Sequence, residues 1–217
     1  MSSINATGFL KELAPIPFIH RWISKKRLKN YDFTLLTPNC LGGWIYHNLG
    51  LQFKSPTINL RFNTISDFYK FCSNLDYYLK LELTNCSNDE VNSIGEEYPM
   101  ARLGDIIIHL VHYKTFAEGY DKWEERKKRI NFDNIYIIAN DYVNDKTRLS
   151  VEKIQAFGEL KCKNVVVFTQ EEMKIPHTLY LGTKKLKDLQ KTNKITGLKG
   201  FEVNFDYVKF LNETKEK

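Results

Sequence analysis

Three short runs in this chain are apolar on both faces of a strand, and they constrain its fold more than any other feature. Within Arg102 to Tyr113, the segment DIIIHLVHY sets Ile106, Ile108 and Leu110 against Ile107, His109 and Val111. Ile135 to Ala139 (IYIIA) and Val165 to Thr169 (VVVFT) repeat the pattern. Strands of this kind sit inside a covered sheet. Helical periods separate them. Ile65, Phe68, Phe71, Cys72, Leu75, Tyr78 and Leu79 form one stripe behind Thr64, an N-cap with Asp67 at the capping-box position. Phe116, Tyr120, Trp123, Lys127 and Ile130 form another, and Ser150 caps a third carrying Val151, Ile154 and Phe157. Asp32 to Pro38 (DFTLLTP), Thr57 to Phe62 (TINLRF) and Leu81 to Leu83 read as further strands, and Asn85 to Glu97 as a loop. The helix after Thr64 is expected to run to Lys80, with two more near Thr183 to Gln190 and Phe205 to Asn212. The alternation predicts an α/β fold: a three-layer, mostly parallel sheet with helices on both faces, Rossmann-like.

No linker interrupts the 217 residues, so residues 31–217 read as a single α/β domain behind a basic amphipathic segment, 1–30. Net charge is +6 and the isoelectric point about 9.0, a balance that admits an anionic partner. The charge concentrates in Arg21, Lys25, Lys26, Arg27 and Lys29, a stretch without an acid, beside Ile16, Phe18, Ile19, Trp22 and Ile23. Such a segment suits either contact with anionic lipid or a membrane-bound complex, or a solvated helix packed on the domain. No zinc-finger or RNA-binding signature accompanies the basic residues, which argues against nucleic acid. Cys40, Cys72, Cys86 and Cys162 contain no CxxC pair and no zinc spacing, so no metal site is expected. The opening MSSINATGFLKELAP lacks the apolar core of a signal peptide, and no run approaches the ~18 apolar residues of a membrane helix. The expectation is a cytoplasmic protein with reduced thiols, peripheral at most to the inner membrane face.

Chemistry concentrates in Thr37 to Leu60, TPNCLGGWIYHNLGLQFKSPTINL, where the first strand ends and a short helix around Trp44 to Asn48 begins. In open parallel sheets ligands bind at the carboxyl ends of strands. Asn39-Cys40, Asn140-Asp141 and Thr169-Gln170 stand at three such ends. Gly42 and Gly43 let backbone N–H groups approach a phosphate or an oxyanion. Cys40 is the candidate nucleophile, because a helix N-terminus favours thiolate. The alternative is a small buried apolar side chain. His47, His109 and His112 are candidate bases. His47 follows Cys40 by about two helical turns, ~10 Å along the same face, which favours a ligand-orienting role. His109 and His112 have opposite parity within one strand, but a turn after Val111 would bring His112 to a strand end as a site residue. His109 otherwise reads as a core histidine. Asp141 is a candidate base or metal-diphosphate carboxylate, although the segment lacks a true DxD signature; its alternative is a turn. Asn39, Tyr46, Asn48, Asn140 and the pair Arg102 and Asp105 beside Gly104 complete the candidate ligand-binding set, with Gly42 and Gly43.

NCLGGWIYHNLGLQFKSPTINL (Asn39 to Leu60), YPMARLGDIIIHLVHY (Tyr98 to Tyr113), KWEERKKRINFDNIYIIANDY (Lys122 to Tyr142) and FGELKCKNVVVFT (Phe157 to Thr169) together resemble a bacterial domain-of-unknown-function family whose members are described as exopolysaccharide biosynthesis proteins or acetyltransferases. The resemblance spans roughly Tyr31 to Leu211 and implies a setting in cell-surface polysaccharide assembly. The Asn39-Cys40 pair is also similar to one found after the first strand of capsule-associated acyltransferases. Three functions compete. One is a transferase moving an acyl group from a coenzyme A thioester to a sugar hydroxyl of an exo- or capsular polysaccharide precursor. The second is a glycosyltransferase using a nucleotide sugar near Asp141. The third is a non-catalytic protein binding a glycan or a membrane complex. Coenzyme A and a nucleotide sugar are the two candidate cofactors.

Overall fold

The structure, a computed structural model, describes residues 17–86, 98–141, 148–182 and 200–214. The first half runs α1 (Pro17–Arg27), β1 (Thr34–Leu36), α2 (Leu41–Leu49), β2 (Arg61–Phe62), α3 (Ile65–Ser73), α4 (Leu75–Lys80) and β3 (Leu83–Asn85). Then follow β4 (Met100–Leu103), β5 (Ile106–His109), α5 (Phe116–Lys127), β6 (Ile135–Asn140), α6 (Val151–Glu159), β7 (Asn164–Thr169) and β8 (Thr178–Tyr180). A 3-10 helix, Gly200–Val203, and α7 (Tyr207–Asn212) close the described chain. The loop expected over 87–97 and the helix expected over 183–190 lie outside the described residues.

Strands β1, β6, β7 and β8 form a parallel sheet in the order β1-β6-β7-β8. Its residues alternate between two cores. Leu36, Ile137, Ala139 and Val167 join a cluster with Phe68, Trp123, Ile154 and Phe157 from α3, α5 and α6. Leu35, Tyr136, Ile138 and Phe168 join a second cluster with Ile45, Tyr46 and Leu49 of α2 and Val208 and Leu211 of α7. Burial of each such side chain contributes about 1.5–3 kcal/mol before conformational entropy is subtracted. The helix starts are chemical. Thr64, Thr115 and Ser150 accept from Asp67 N, Glu118 N and Lys153 N at 3.0, 3.2 and 3.4 Å.

The expected single, mostly parallel sheet is corrected in one respect: the densest apolar run belongs to a second sheet. Strands β2, β5, β4 and β3 form an antiparallel sheet in the order β2-β5-β4-β3. The cause is Gly104-Asp105. Gly104 has φ +61, and the two residues link Leu103 directly to its partner Ile106. A two-residue hairpin with glycine first can only join antiparallel strands. Strand β5 is still covered on both sides, with Ile106 and Ile108 in the main core and Ile107 against Cys86 and Met100. The fold is thus mixed α/β, with one parallel and one antiparallel sheet.

Two smaller departures follow from local chemistry. The helix expected from Ile65 to Lys80 breaks at Asn74, whose backbone leaves the helical region (φ −127, ψ 40). Of the strand expected over Thr57 to Phe62 only Arg61 and Phe62 pair; Pro56 to Asn59 form a turn, with Asn59 left-handed at φ +65. Among the described residues no helix is long and apolar enough to cross a membrane.

Candidate functional site

Strand β1 delivers its chain straight into the N-terminus of α2. Thr37 Oγ1 donates to Asn39 O at 2.7 Å and accepts from Gly42 N at 3.2 Å. Asn39 Oδ1 accepts from Leu41 N at 3.0 Å. The first two N–H groups of the helix are therefore already satisfied, by the two polar residues that precede it. Gly43 N–H makes no hydrogen bond among the described residues. Cys40 occupies the N-cap position, and its side chain makes no capping bond.

The sulfur points elsewhere. His112 Nε2 lies 3.1 Å from Cys40 Sγ. Strand β5 ends at His109, and Tyr113 N bonds back to Leu110 O at 2.9 Å, so Leu110 to Tyr113 is a turn that projects His112 toward α2. His109 and His112 are consequently not two residues of one strand. The Cys40–His112 pair lies at the wall of a cavity of about 420 Å³. Trp44 and His47 of α2 line it, together with Phe53, Asn59 and Phe201. No carboxylate is among the described lining residues.

Burial pushes the Cys40 thiol from 9.0 to about 11; the nearby Arg61 guanidinium and a backbone hydrogen bond oppose this without cancelling it. The expectation that the helix N-terminus would favour thiolate is thus overturned, since desolvation of the anion outweighs the favourable terms. Cys40 is a thiol, and His112 Nε2 is placed to accept its proton. Arg61 is itself held in place. Its Nη2 donates to Tyr98 Oη at 2.8 Å and to His109 Nδ1 at 3.3 Å. A guanidinium only donates, so His109 Nδ1 accepts and its Nε2–H donates to Asn63 Oδ1 at 3.2 Å. His109 therefore orients the cation that faces Cys40.

Asn59 packs directly beside Gly43 in the cavity wall. A Cβ on Gly43 would meet Asn59 Oδ1 at 2.8 Å. Asparagine is among the few residues that tolerate a left-handed backbone, and such conformations gather at functional sites. The turn is braced by Arg126, 6% exposed, whose Nη1 donates to Ile58 O at 2.8 Å and Tyr113 Oη at 2.7 Å. The Gly43 N–H and the Asn59 side-chain amide are thus the uncharged polar groups that line the cavity near Cys40.

The remaining sequence candidates separate. Cys40, Gly43, His47 and His112 line the cavity. Gly42 packs against Thr37 and Ile58. Tyr46 is a core residue: its hydroxyl donates to Phe33 O at 2.7 Å and accepts from Leu35 N at 3.2 Å, tying α2 to β1. Asn48 is buried and accepts from Arg21 Nε at 2.9 Å while its amide donates to Tyr207 Oη at 2.6 Å. Arg102 and Asp105 belong to the β4–β5 hairpin, where Asp105 pairs with Lys70 at 2.7 Å. Asn140 is buried at the end of β6. Asp141 is 2% exposed, and its Oδ2 accepts from Gln170 N at 3.1 Å. Burial raises its carboxyl above the ordinary 3.8, with Gln170 N and Arg148 opposing. Among the described residues, no three His, Cys, Asp or Glu side chains gather as a metal-ligand set.

Trp44, Asn59, Arg61 and Phe201 were not singled out from sequence. Asn59 had one readable signal, an asparagine interrupting the apolar run Ile58-Leu60. Trp44 reaches the site along α2 itself, and Arg61 and Phe201 through tertiary packing.

The family described as domain of unknown function (DUF1919) matches residues 16–212. The chain is also similar to a protein of Haemophilus influenzae described as an uncharacterized protein, 31% identical over 203 residues that cover 90% of this chain and 91% of that one.

Proposed function

We propose that this chain, which belongs to the DUF1919 family, is a cysteine-dependent transferase that moves an acyl group from a coenzyme A thioester to a sugar hydroxyl of a surface-polysaccharide precursor. The observation that carries the reading is the 3.1 Å contact between Cys40 Sγ and His112 Nε2 at a cavity wall. A thiol raised by burial beside an imidazole within hydrogen-bond reach is suited to deprotonation during attack rather than before it. Cys40 Sγ attacks the thioester carbonyl carbon as His112 takes its proton. The oxyanion is met by the Gly43 N–H and the Asn59 amide. Collapse breaks the bond to the donor sulfur, which leaves as a thiol with the proton from His112. The sugar hydroxyl then attacks the Cys40 thioester, His112 takes the hydroxyl proton, and Cys40 departs as the thiol.

The aromatic walls, Trp44, Phe53 and Phe201, suit the apolar face of a sugar ring. The polysaccharide setting itself comes from the family resemblance. Glycosyl transfer is less well supported, because Asp141 is sealed beneath Gln170 and the described lining offers no carboxylate to a metal-diphosphate.

Intact-mass measurement after incubation with acetyl-coenzyme A tests the reading. The expected product is one acetyl group on the protein, released by neutral hydroxylamine, absent in Cys40→Ala and strongly reduced in His112→Gln. A panel of acyl thioesters that leaves the mass unchanged, with no coenzyme A-dependent rise in melting temperature, would sink the acyl-enzyme and move weight to a non-catalytic binding role.

A further inference from the structure

Helix α1 carries cations on two sides, and the two sides have different partners. The inner cations are arginines. Arg21 bonds Asn48 Oδ1 at 2.9 Å with its guanidinium 5.7 Å from the Trp44 ring centre, and Arg27 pairs with Asp206. Tyr207 Oη donates to Ser24 Oγ at 3.2 Å, and Asn212 Nδ2 to Arg27 O at 2.9 Å. These contacts fix the helix on α2 and α7. They also use the acids at hand: Asp206 holds Arg27, and buried Glu202 faces His20 and Asn48.

The outer side is Trp22, Lys25 and Lys26, with Lys29 just past the helix end. The spacing i, i+3, i+4, i+7 puts them on one stripe. All four are exposed, and Trp22 at 61% is the most exposed large apolar side chain described. Lys26 Nζ lies 6.0 Å from the Trp22 ring centre. Lys25 Nζ rests over Gly50, at the C-terminal end of α2. Among the described residues none of the three lysines has a carboxylate partner. A merely solvated helix face would intersperse acids with its lysines, yet no Asp or Glu occurs from Pro17 to Tyr31.

We propose that this stripe docks the protein on an anionic membrane surface. Trp22 inserts at headgroup depth, and Lys26 and Lys29 extend to lipid phosphates. The choice of residues fits. Arginine makes the directional inward bonds, while lysine supplies long, mobile point charges outward. A helix stripe with one exposed aromatic among lysines suits a planar surface, whereas single-stranded nucleic acid asks for a groove with successive stacking rings. The inference stands on α1 alone and does not depend on acyl transfer. It does place the interface next to the cavity, since Arg21 joins the same helix to Trp44.

Co-sedimentation of the full chain with vesicles tests this. Binding is expected to vesicles of equal parts phosphatidylglycerol and phosphatidylcholine, and not to phosphatidylcholine alone. It should fade at high salt. Lys26→Gln and Lys29→Gln should each weaken partitioning about fivefold, and Trp22→Ala about tenfold, with unchanged melting temperatures. Lys25→Gln should do less, because its ammonium is engaged with α2. No binding to anionic vesicles, binding indifferent to these variants, or tighter binding to an oligonucleotide than to vesicles would overturn the proposal.

Discussion

Alkylation of Cys40 by iodoacetamide is the most direct probe of how the site is set. Burial holds the thiol at about 11 rather than 9.0. At about pH 8 an ordinary thiol is roughly one-tenth ionised, while Cys40 is roughly one-thousandth, about a hundredfold deficit in thiolate. A more basic thiolate is a better nucleophile, and a Brønsted slope of ~0.4–0.5 returns about six- to tenfold. The net expectation is alkylation about 10–20-fold slower than in an unfolded cysteine peptide, rising tenfold per pH unit toward about pH 11. Arg61→Gln removes a charge that opposes the shift and should slow the reaction further. His112→Gln should leave the pH profile unchanged, since the shift comes from burial, yet it should strongly reduce acylation. Peptide mass mapping separates Cys40 from Cys72, Cys86 and Cys162. A plateau near neutral pH, or a profile displaced by His112→Gln, would show a preformed thiolate–imidazolium pair and refute the burial argument.

Other perturbations have definite signs. Tyr46→Phe deletes a hydroxyl bonded at 2.7 and 3.2 Å to the backbone of β1 and its approach, and should cost about 1–3 kcal/mol in urea unfolding; a loss under about 0.5 kcal/mol would contradict its role as a tie. Gly43→Ala forces a Cβ within 2.8 Å of Asn59 Oδ1 and 3.2 Å of Ile58 Cγ2, and should cost about 1–3 kcal/mol while reducing acylation; an unchanged acylation rate would remove Asn59 from the mechanism. Arg126→Met leaves the Tyr113 hydroxyl without its donor and the Ile58 carbonyl with only the long 3.5 Å bond from Tyr113, and should cost about 1–3 kcal/mol by the same assay. For Asp141 the folded carboxyl lies above 3.8 because of burial, so the wild type is unpenalised below 3.8 and loses stability as pH rises through the folded value. The melting temperature of Asp141→Asn minus that of wild type should therefore grow from acid to neutral pH, and a constant difference would mean the carboxylate is not desolvated.

What could be read from sequence was what local chemistry decides. Thr64, Thr115 and Ser150 cap their helices through their own side chains, and β6 and β7 follow from unbroken apolar runs. The β4–β5 hairpin was readable too, in Gly104-Asp105 between two apolar runs, but the alternating pattern of β5 fits a covered strand of either sheet. Strand β8 was missed because Thr178 to Tyr180 is short, at the sheet edge and half exposed. In the site, Cys40 stood out through its neighbours, and His112 only on condition that the chain turned near Val111. Arg61 carried no mark, since its role depends on Tyr98 and His109 from other parts of the chain.

The two members of the Cys40–His112 pair have separate origins. Cys40 follows β1 of the parallel sheet, His112 follows β5 of the antiparallel one, and the Phe62 N to Pro38 O bond of 3.0 Å stitches the two together nearby. Neither sheet can form the pair without the other. A nascent or half-denatured chain therefore carries a solvated cysteine and a distant imidazole, and the contact between them exists only once the sheets have closed. The Cys40–His112 contact is thus a marker of complete assembly, lost by any slip between the layers before the helices and strands themselves are lost.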